Sequence, residues 1–98
     1  MATYVSLISY TQQGMQNIKE SPARLEAAKK LFKSMGAELK QWYLLIGEYD
    51  ALVISEGPDD ETVAKLLLMI GALGNVRTQT LRAFTEDEFN KIIAGLPG

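Results

Sequence analysis

The side chains that could do chemistry in this chain are phenols, hydroxyls, an arginine and a carboxylate, set along apolar segments. Among its 98 residues there is neither cysteine nor histidine. The chain therefore has no thiolate nucleophile, imidazole base, disulfide or usual zinc ligand, which excludes hydrolase triads, zinc chemistry and thiol redox relays. The remaining candidates for binding a ligand are Tyr10, Tyr43, Tyr49, Asp50, Thr78, Thr80 and Arg82.

Asp50 and Tyr49 belong to the turn Gly47-Glu48-Tyr49-Asp50, directly before an apolar segment. A carboxylate in such a place most often accepts hydrogen bonds from turn amides or pairs with an arginine. The functional alternative makes Asp50 a general base or a ligand anchor beside Tyr49, and it requires the side chain to enter a cavity.

Aromatic residues in strands usually pack in a core or an interface, and Trp42 is expected to point toward the helices. Tyr10 and Tyr43 could instead orient a small ligand at the rim of an apolar cavity. Arg82 shares its side of a strand with Thr78 and Thr80, and a buried arginine needs either a protein carboxylate or an anionic ligand. Arg24 is expected on a solvated helix surface, although it could line the mouth of such a cavity.

The acidic run Asp59-Asp60-Glu61 resembles a metal cluster only superficially, because a helix start favours carboxylates through capping and the helix dipole. We therefore expect no metal and no cofactor.

The elements that must position these residues alternate between strand and helix patterns. Ser21-Pro22 is a helix start with Ser21 as cap, and Thr85-Glu86-Asp87-Glu88 is a capping box. A tight hairpin is expected across Gly47. The predicted strands are Tyr4 to Tyr10, Leu39 to Ile46, Ala51 to Ser55 and Val76 to Phe84; helices run from Ser21 to Met35, from Asp59 or Asp60 to about Leu73, and after Thr85.

This order predicts an α+β domain, a split β-α-β-β-α-β unit with an antiparallel four-stranded sheet and a terminal helix. Right-handed crossovers place both main helices on the same side of the sheet. By alternation we expect them to cover the face that carries Val5, Leu7, Trp42, Leu44, Ile46, Leu52, Ile54, Leu81 and Ala83. The opposite, uncovered face would then carry Tyr4, Ser6, Ile8, Tyr10, Leu39, Gln41, Tyr43, Leu45, Ala51, Val53, Ser55, Thr78, Thr80 and Arg82.

That second face is too apolar to meet water, so a second copy of the chain is expected to cover it. The alternative is a monomer in which the terminal helix folds back over its own sheet.

Composition supports one folded domain over residues 1–98, since 47% of the residues are apolar, 22% are charged and the net charge is −2. Without a basic block, neither nucleic acid nor an anionic membrane is an expected partner. No apolar stretch is long enough to span a bilayer and the first residues lack a signal-peptide pattern, so we expect a cytoplasmic protein.

Several segments together resemble one known family, the GYD-domain proteins of bacteria and archaea. They are Ser21-Pro22-Ala23-Arg24, Gly47-Glu48-Tyr49-Asp50, Glu56-Gly57-Pro58-Asp59-Asp60, Gly74-Asn75-Val76-Arg77-Thr78 and Thr80-Leu81-Arg82-Ala83-Phe84. The resemblance covers nearly the whole chain, with Gly57 where a small residue such as alanine is commoner. It implies a dimeric α/β barrel of ferredoxin-like topology, but no activity, because the wider group includes monooxygenases, haem enzymes, dehydratases and ligand sensors.

The preferred interpretation is a homodimer that binds a small, partly apolar molecule, which could be anionic, between its two sheets. Tyr10, Tyr43, Thr78, Thr80 and Arg82 would line that pocket, with Tyr49 and Asp50 at its rim. A second possibility is a cofactor-independent oxygenase, isomerase or dehydratase that uses Asp50 or a tyrosine for proton transfer. A third is an assembly or regulatory module without a small-molecule site.

Overall fold

The computed structural model describes all residues, 1–98, as four strands and four helices. The strands are β1 (Ala2–Tyr10), β2 (Glu38–Leu44), β3 (Ala51–Gly57) and β4 (Val76–Ala83). The helices are α1 (Gln12–Gln16), α2 (Ser21–Ser34), α3 (Asp60–Ala72) and α4 (Glu86–Ala94), and a 3₁₀ turn (Ile18–Glu20) leads into α2. The predicted split β-α-β-β-α-β unit with a terminal helix is confirmed.

The sheet has the order β2-β3-β1-β4, and every neighbouring pair is antiparallel. In the register, Val5 lies opposite Ile54 and Leu81, and Leu7 lies opposite Leu52. A bulge in β2 between Leu39 and Gln41 shifts the pairing by one residue. Because side chains alternate along a strand, the bulge puts Leu39 and Trp42 on the same side of the sheet.

The predicted assignment of the two sheet faces is wrong. Helices α2 and α3 cover the face that carries Tyr4, Ser6, Val53 and Ser55, all of which are buried. The opposite face, here called the open face, carries Val5, Leu7, Leu52, Ile54 and Leu81, all of them partly or largely exposed.

Hydrogen bonding explains why the more polar face lies under the helices. The hydroxyls of Ser6 and Thr80 are 2.8 Å apart and satisfy each other, so burying them does not leave an unpaired polar group. Alternation shows which residues share a face, but it does not show which of two largely apolar faces the helices take. The prediction for Trp42, which points to the helix side, is confirmed.

The predicted helix starts are confirmed, and two of the three predicted caps are as expected. Asp59 caps α3 by accepting a hydrogen bond from the Thr62 amide at 2.8 Å, and Thr85 forms the predicted capping box with Glu88. Ser21 does not cap α2, because the 3₁₀ turn runs directly into that helix and Glu20 occupies the cap position.

The link between β2 and β3 is wider than the predicted tight hairpin. Residues 45–50 connect the two strands, and the Leu45 amide donates to the Asp50 carbonyl at 2.9 Å. Gly47 has φ +142°, a backbone conformation that favours glycine.

Helix α4 projects from the end of β4 and does not fold back over the sheet. The longest dimension of the molecule is 55 Å. Its radius of gyration is 15.0 Å, compared with about 13 Å for a compact domain of this length. None of the helices has both the length and the apolar character that crossing a bilayer requires.

Candidate functional site

A cavity of about 210 Å³ lies between the helices and the sheet, and we call it the helix-side cavity. Its floor is the covered face of the sheet, and its walls come from α2, α3 and the loop before β4. Fourteen of its 19 lining residues are hydrophobic. The lining comprises Ser6, Ile8, Tyr10, Ser21, Arg24, Leu25, Ala27, Ala28, Leu31, Phe32, Leu39, Trp42, Val53, Leu67, Ile70, Leu73, Asn75, Val76 and Thr78.

Two residues of the predicted ligand-binding set, Tyr10 and Thr78, line this cavity. The Tyr10 hydroxyl lies 2.7 Å from the Ser21 hydroxyl, which ties β1 to the first turn of α2. The two hydroxyls are hydrogen bonded to each other. Either hydroxyl can replace this bond with one to a bound molecule at small cost in free energy.

Thr80 is hydrogen bonded to Ser6 on the same covered face. Tyr10, Thr78 and Thr80 therefore cannot line a chamber between the open faces of two sheets, and that part of the predicted pocket is wrong.

Arg24 is the charged residue of the cavity lining. Its guanidinium donates to the Asn17 carbonyl at 3.1 Å and to the Gly14 carbonyl at 3.4 Å, and it lies 3.6 Å from the Glu20 carboxylate. Only about a quarter of the side chain is exposed, whereas the sequence favours a solvated position. The place of Arg24 in the lining depends on the fold of α1 and the 3₁₀ turn, whose lengths the sequence pattern does not define.

Tyr43 and Tyr49 lie on the other side of the sheet. Tyr43 is about half exposed (49%) and neighbours Leu52 on the open face. The Tyr49 hydroxyl donates to the Gln79 side-chain oxygen at 2.8 Å, and Gln79 pairs with Leu7, which also belongs to the open face. The structure thus divides the predicted set between two surfaces instead of bringing it together.

Asp50 has a structural contact. Its carboxylate accepts a hydrogen bond from the Tyr10 amide at 2.9 Å, and its own amide donates to the Ile8 carbonyl at 2.8 Å. These bonds hold the end of β1 against the loop between β2 and β3. Because the carboxylate already has an amide partner and does not line the helix-side cavity, the geometry favours the structural interpretation.

Arg82 lies at the end of β4 and contacts protein groups. Its guanidinium is 4.4 Å from the Phe84 ring centre and 5.7 Å from that of Tyr4, and it is 4.0 Å from the Glu88 carboxylate. It also donates to the Thr3 carbonyl at 3.3 Å. Of the two roles predicted for Arg82, these contacts match pairing with a protein carboxylate near the strand end.

Tyr4 and Asp60 form a pair that the sequence did not reveal. The buried Tyr4 hydroxyl donates to the Asp60 carboxylate in the first turn of α3. Burial, followed by the hydrogen bond to Asp60 and its negative charge, raises the pKa of Tyr4 to about 12. This phenol is therefore protonated at neutral pH and cannot act as a base.

The pKa values of two carboxylates at helix starts are shifted in the opposite direction, downward. The Thr62 amide lowers the pKa of Asp59, and the Thr85 amide lowers the pKa of Glu88, because each amide hydrogen bonds the charged form. Asp59 thus caps α3 in its ionised form, and the ionised Glu88 completes the capping box that Thr85 begins. No three Asp or Glu side chains converge where they could hold a metal ion.

Comparison with known proteins gives one family match and one clear relative. The model of the GYD domain matches residues 4–93. A protein of Thermus thermophilus, described as "Glutamine synthetase and cystathionine beta-lyase binding protein", is 31% identical over 84 residues, which cover 85% of this chain and 88% of that protein.

Two solved structures have a similar fold. The crystal structure of TTHA0845, also from Thermus thermophilus, has a TM-score of 0.55 at 24% identity and covers 87% of this chain and 95% of that one. The feast or famine regulatory protein of M. tuberculosis, complexed with L-methionine, has a TM-score of 0.63 at 22% identity and covers 89% of this chain but 54% of that one. At these identities the two structures support the fold alone. The family match extends over nearly the whole sequence, and the chain therefore belongs to the GYD-domain family.

Proposed function

We propose that this protein is a binding module that self-associates through its open face and acts by holding partner proteins rather than by catalysis. The observation that carries the proposal is the open face itself, an apolar surface that the chain leaves uncovered. Val5, Leu7, Leu52 and Ile54 lie together at its centre on the two middle strands, and apolar surface of this kind is a typical site of protein contact.

The size of the open face favours a larger interface that includes α4. Four strands about 4.8 Å apart and about seven residues long give a surface of roughly 440 Å², whereas a standard interface hides about 800 Å² on each partner. Helix α4 and the residues just after it carry an apolar row, Phe89, Ile92, Ile93 and Leu96, and each of these side chains is about half exposed. Packing this row on a second copy would supply the missing area.

The partners that we propose are metabolic enzymes, by similarity to the relative named for binding glutamine synthetase and cystathionine β-lyase. The exposed side of α3 is a candidate contact surface. Leu68 is 74% exposed there, and α3 remains accessible when the open face is occupied by a second copy.

A second candidate function is small-molecule binding between the sheets of the dimer, as the sequence suggested. Only Tyr43 and Tyr49 of the predicted set lie on the correct side for such a chamber, together with Gln79. The feast or famine regulatory protein, with its bound L-methionine, is a precedent for ligand binding on this fold. An enzyme with Asp50 as base is less well supported, because the Tyr10 amide already occupies that carboxylate.

Self-association can be tested by light scattering during gel filtration at micromolar concentration. We expect the wild type to elute with twice the chain mass. Leu7→Lys at the centre of the open face should elute as a monomer, since a buried unpaired ammonium opposes association. Ile46→Lys is the matched control, because Ile46 is fully exposed at the loop between β2 and β3. A wild type that elutes as single chains would overturn the proposal.

Enzyme binding can be tested by surface plasmon resonance with purified glutamine synthetase and cystathionine β-lyase from the same organism. We expect saturable binding that Leu68→Lys weakens without changing the dimer mass, and that Ile46→Lys leaves unchanged. If neither enzyme binds, the proposed partners are wrong although self-association can still stand.

A further inference from the structure

We propose that the helix-side cavity is a binding site for a small carboxylate with an unbranched apolar body, whose charged group Arg24 holds. This site lies under the helices and is separate from both the open face and the outer side of α3. A ligand there could regulate the module, since the cavity borders α2, α3 and all four strands of the sheet.

The apolar body follows from the size and lining of the cavity. Its volume of about 210 Å³ lies below the range of about 300–1,000 Å³ for drug-sized ligands. At about 30 Å³ for each group of the size of a water molecule, it holds about seven such groups. Most of the lining consists of aliphatic and aromatic side chains, which favour a hydrocarbon chain over a polar metabolite.

The charge of the ligand follows from Arg24. No Asp, Glu or Lys lines the cavity, so its lining carries one positive charge and no negative one. A guanidinium has five N–H donors, and the carbonyls of Asn17 and Gly14 accept from two of its nitrogens. These two contacts hold the group at the start of α2 and leave donors for a carboxylate, which an arginine binds with well-matched geometry.

The ion pair between Arg24 and Glu20 does not prevent this binding. The Glu20 side chain is 72% exposed and lies 3.6 Å from the guanidinium, and a carboxylate that is largely in water contributes little to such a pair. A ligand carboxylate can therefore replace Glu20 or share the guanidinium with it.

The cavity also contains its own reporter. Trp42 is the chain's sole tryptophan, and it lines both the helix-side cavity and a second, more open hollow beside it. Tyr10, Ser21 and Leu25 are shared by the two linings as well. Occupation of the cavity should therefore change the fluorescence of this protein directly.

The test titrates the wild-type protein with octanoate, octan-1-ol and octylammonium and follows Trp42 emission. We expect saturable binding of octanoate, about tenfold or more tighter than that of octan-1-ol, and the weakest response with octylammonium. From butanoate upward each added methylene group should tighten binding about fourfold until the cavity is full, and longer chains should gain no more. Absence of a saturable change up to about 10 mM octanoate, or equal binding of all three probes, overturns the proposal.

Variants separate the two parts of the site. Arg24→Gln should bind octan-1-ol as the wild type does but should no longer bind octanoate more tightly than octan-1-ol. If the role of Arg24 were purely structural, the substitution would weaken the binding of both probes alike. Ala28→Leu should fill the cavity and abolish binding, whereas Ala23→Leu, at an exposed α2 position outside the lining, should not. Retained octanoate binding by folded Ala28→Leu would contradict the site. If Ala28→Leu does not fold, the comparison of the three probes on the wild type decides alone. None of these results bears on self-association or enzyme binding.

Discussion

Asp50 illustrates how this fold uses a carboxylate at the end of a hairpin. Its side chain satisfies the Tyr10 amide, and its backbone satisfies the Ile8 carbonyl. Both contacts fix the last residues of β1, which also carry the Tyr10 hydroxyl toward Ser21 and the helix-side cavity. A residue that sequence motifs place in a family signature can therefore act by positioning a strand end.

Replacing Asp50 tests this structural role. Asp50→Ala leaves the Tyr10 amide without its acceptor, and we expect a loss of about 1–3 kcal/mol in the free energy of unfolding. Asp50→Asn retains an acceptor oxygen and should lose much less. Urea denaturation of the two variants measures the difference, and equal losses would show that the hydrogen bond to Tyr10 is not what Asp50 contributes.

Tyr4 gives a prediction for alkaline pH. The pKa of Tyr4 is raised to about 12 in the folded protein, whereas an unfolded tyrosine titrates near pH 10. The folded state therefore holds this proton more tightly, so the stabilisation is present below about pH 10 and is lost as the pH rises through about 12. Phenolate absorbance should show one late ionisation step that Tyr4→Phe removes and Tyr43→Phe retains. A late step that persists in Tyr4→Phe would contradict the assignment.

At the scale of elements, α1 docks on the loop before β4, and that loop forms part of the wall of the helix-side cavity. The Thr11 amide donates to the Asn75 carbonyl at 3.1 Å, and the Thr11 hydroxyl donates to the Gly74 carbonyl at 2.6 Å. Gln13 adds a hydrogen bond to the Leu73 carbonyl at 3.1 Å. These bonds join the start of the first crossover to the end of the second, so α1 positions Asn75 and Leu73 in the cavity wall.

Gly14 makes this docking possible and can be tested by substitution. A Cβ atom at Gly14 would lie 2.0 Å from the Asn75 carbonyl oxygen, so Gly14→Ala must push the loop away. We expect it to lower the free energy of unfolding by about 1–3 kcal/mol. Gly71→Ala is the control, since nothing lies within 4 Å of that position in α3 and alanine should stabilise a helix interior by up to about 1 kcal/mol. Urea denaturation distinguishes the two, and a neutral Gly14→Ala would mean that the loop yields freely.

The sequence predicted the elements of this fold better than the surfaces they form. Capping residues and strand patterns are local, and so α3, α4 and the order of strands were predicted correctly. The covered face was not, because Ser6 and Thr80 become acceptable under the helices only through a hydrogen bond between neighbouring strands that are far apart in sequence. The bulge in β2 and the docking of α1 are likewise tertiary features. For the same reason the sequence favoured a solvated surface for Arg24 over the alternative that it lines a cavity, although Arg24 belongs to the lining.

At the scale of the whole molecule, a single chain leaves much of its apolar surface exposed. Only 11 of its 98 residues are buried, the open face has no cover, and α4 extends away with an exposed apolar row. The marginal stability of small domains makes such exposure costly unless another surface hides it. One partner that contacts both the open face and α4 would account for the extended shape, and a second copy offers the same two surfaces in return.

This arrangement predicts that α4 strengthens the dimer. Ile92 is 46% exposed in the apolar row of α4, and Ile92→Asp should raise the dimer dissociation constant about tenfold or more, because a carboxylate would be buried without a partner. Asn90→Asp adds the same charge on an exposed part of the same helix and should leave the constant nearly unchanged. Sedimentation equilibrium measures both. If the two variants dissociate alike, the effect is one of net charge; if neither weakens a wild-type dimer, the open face alone forms the interface and α4 is free for another partner.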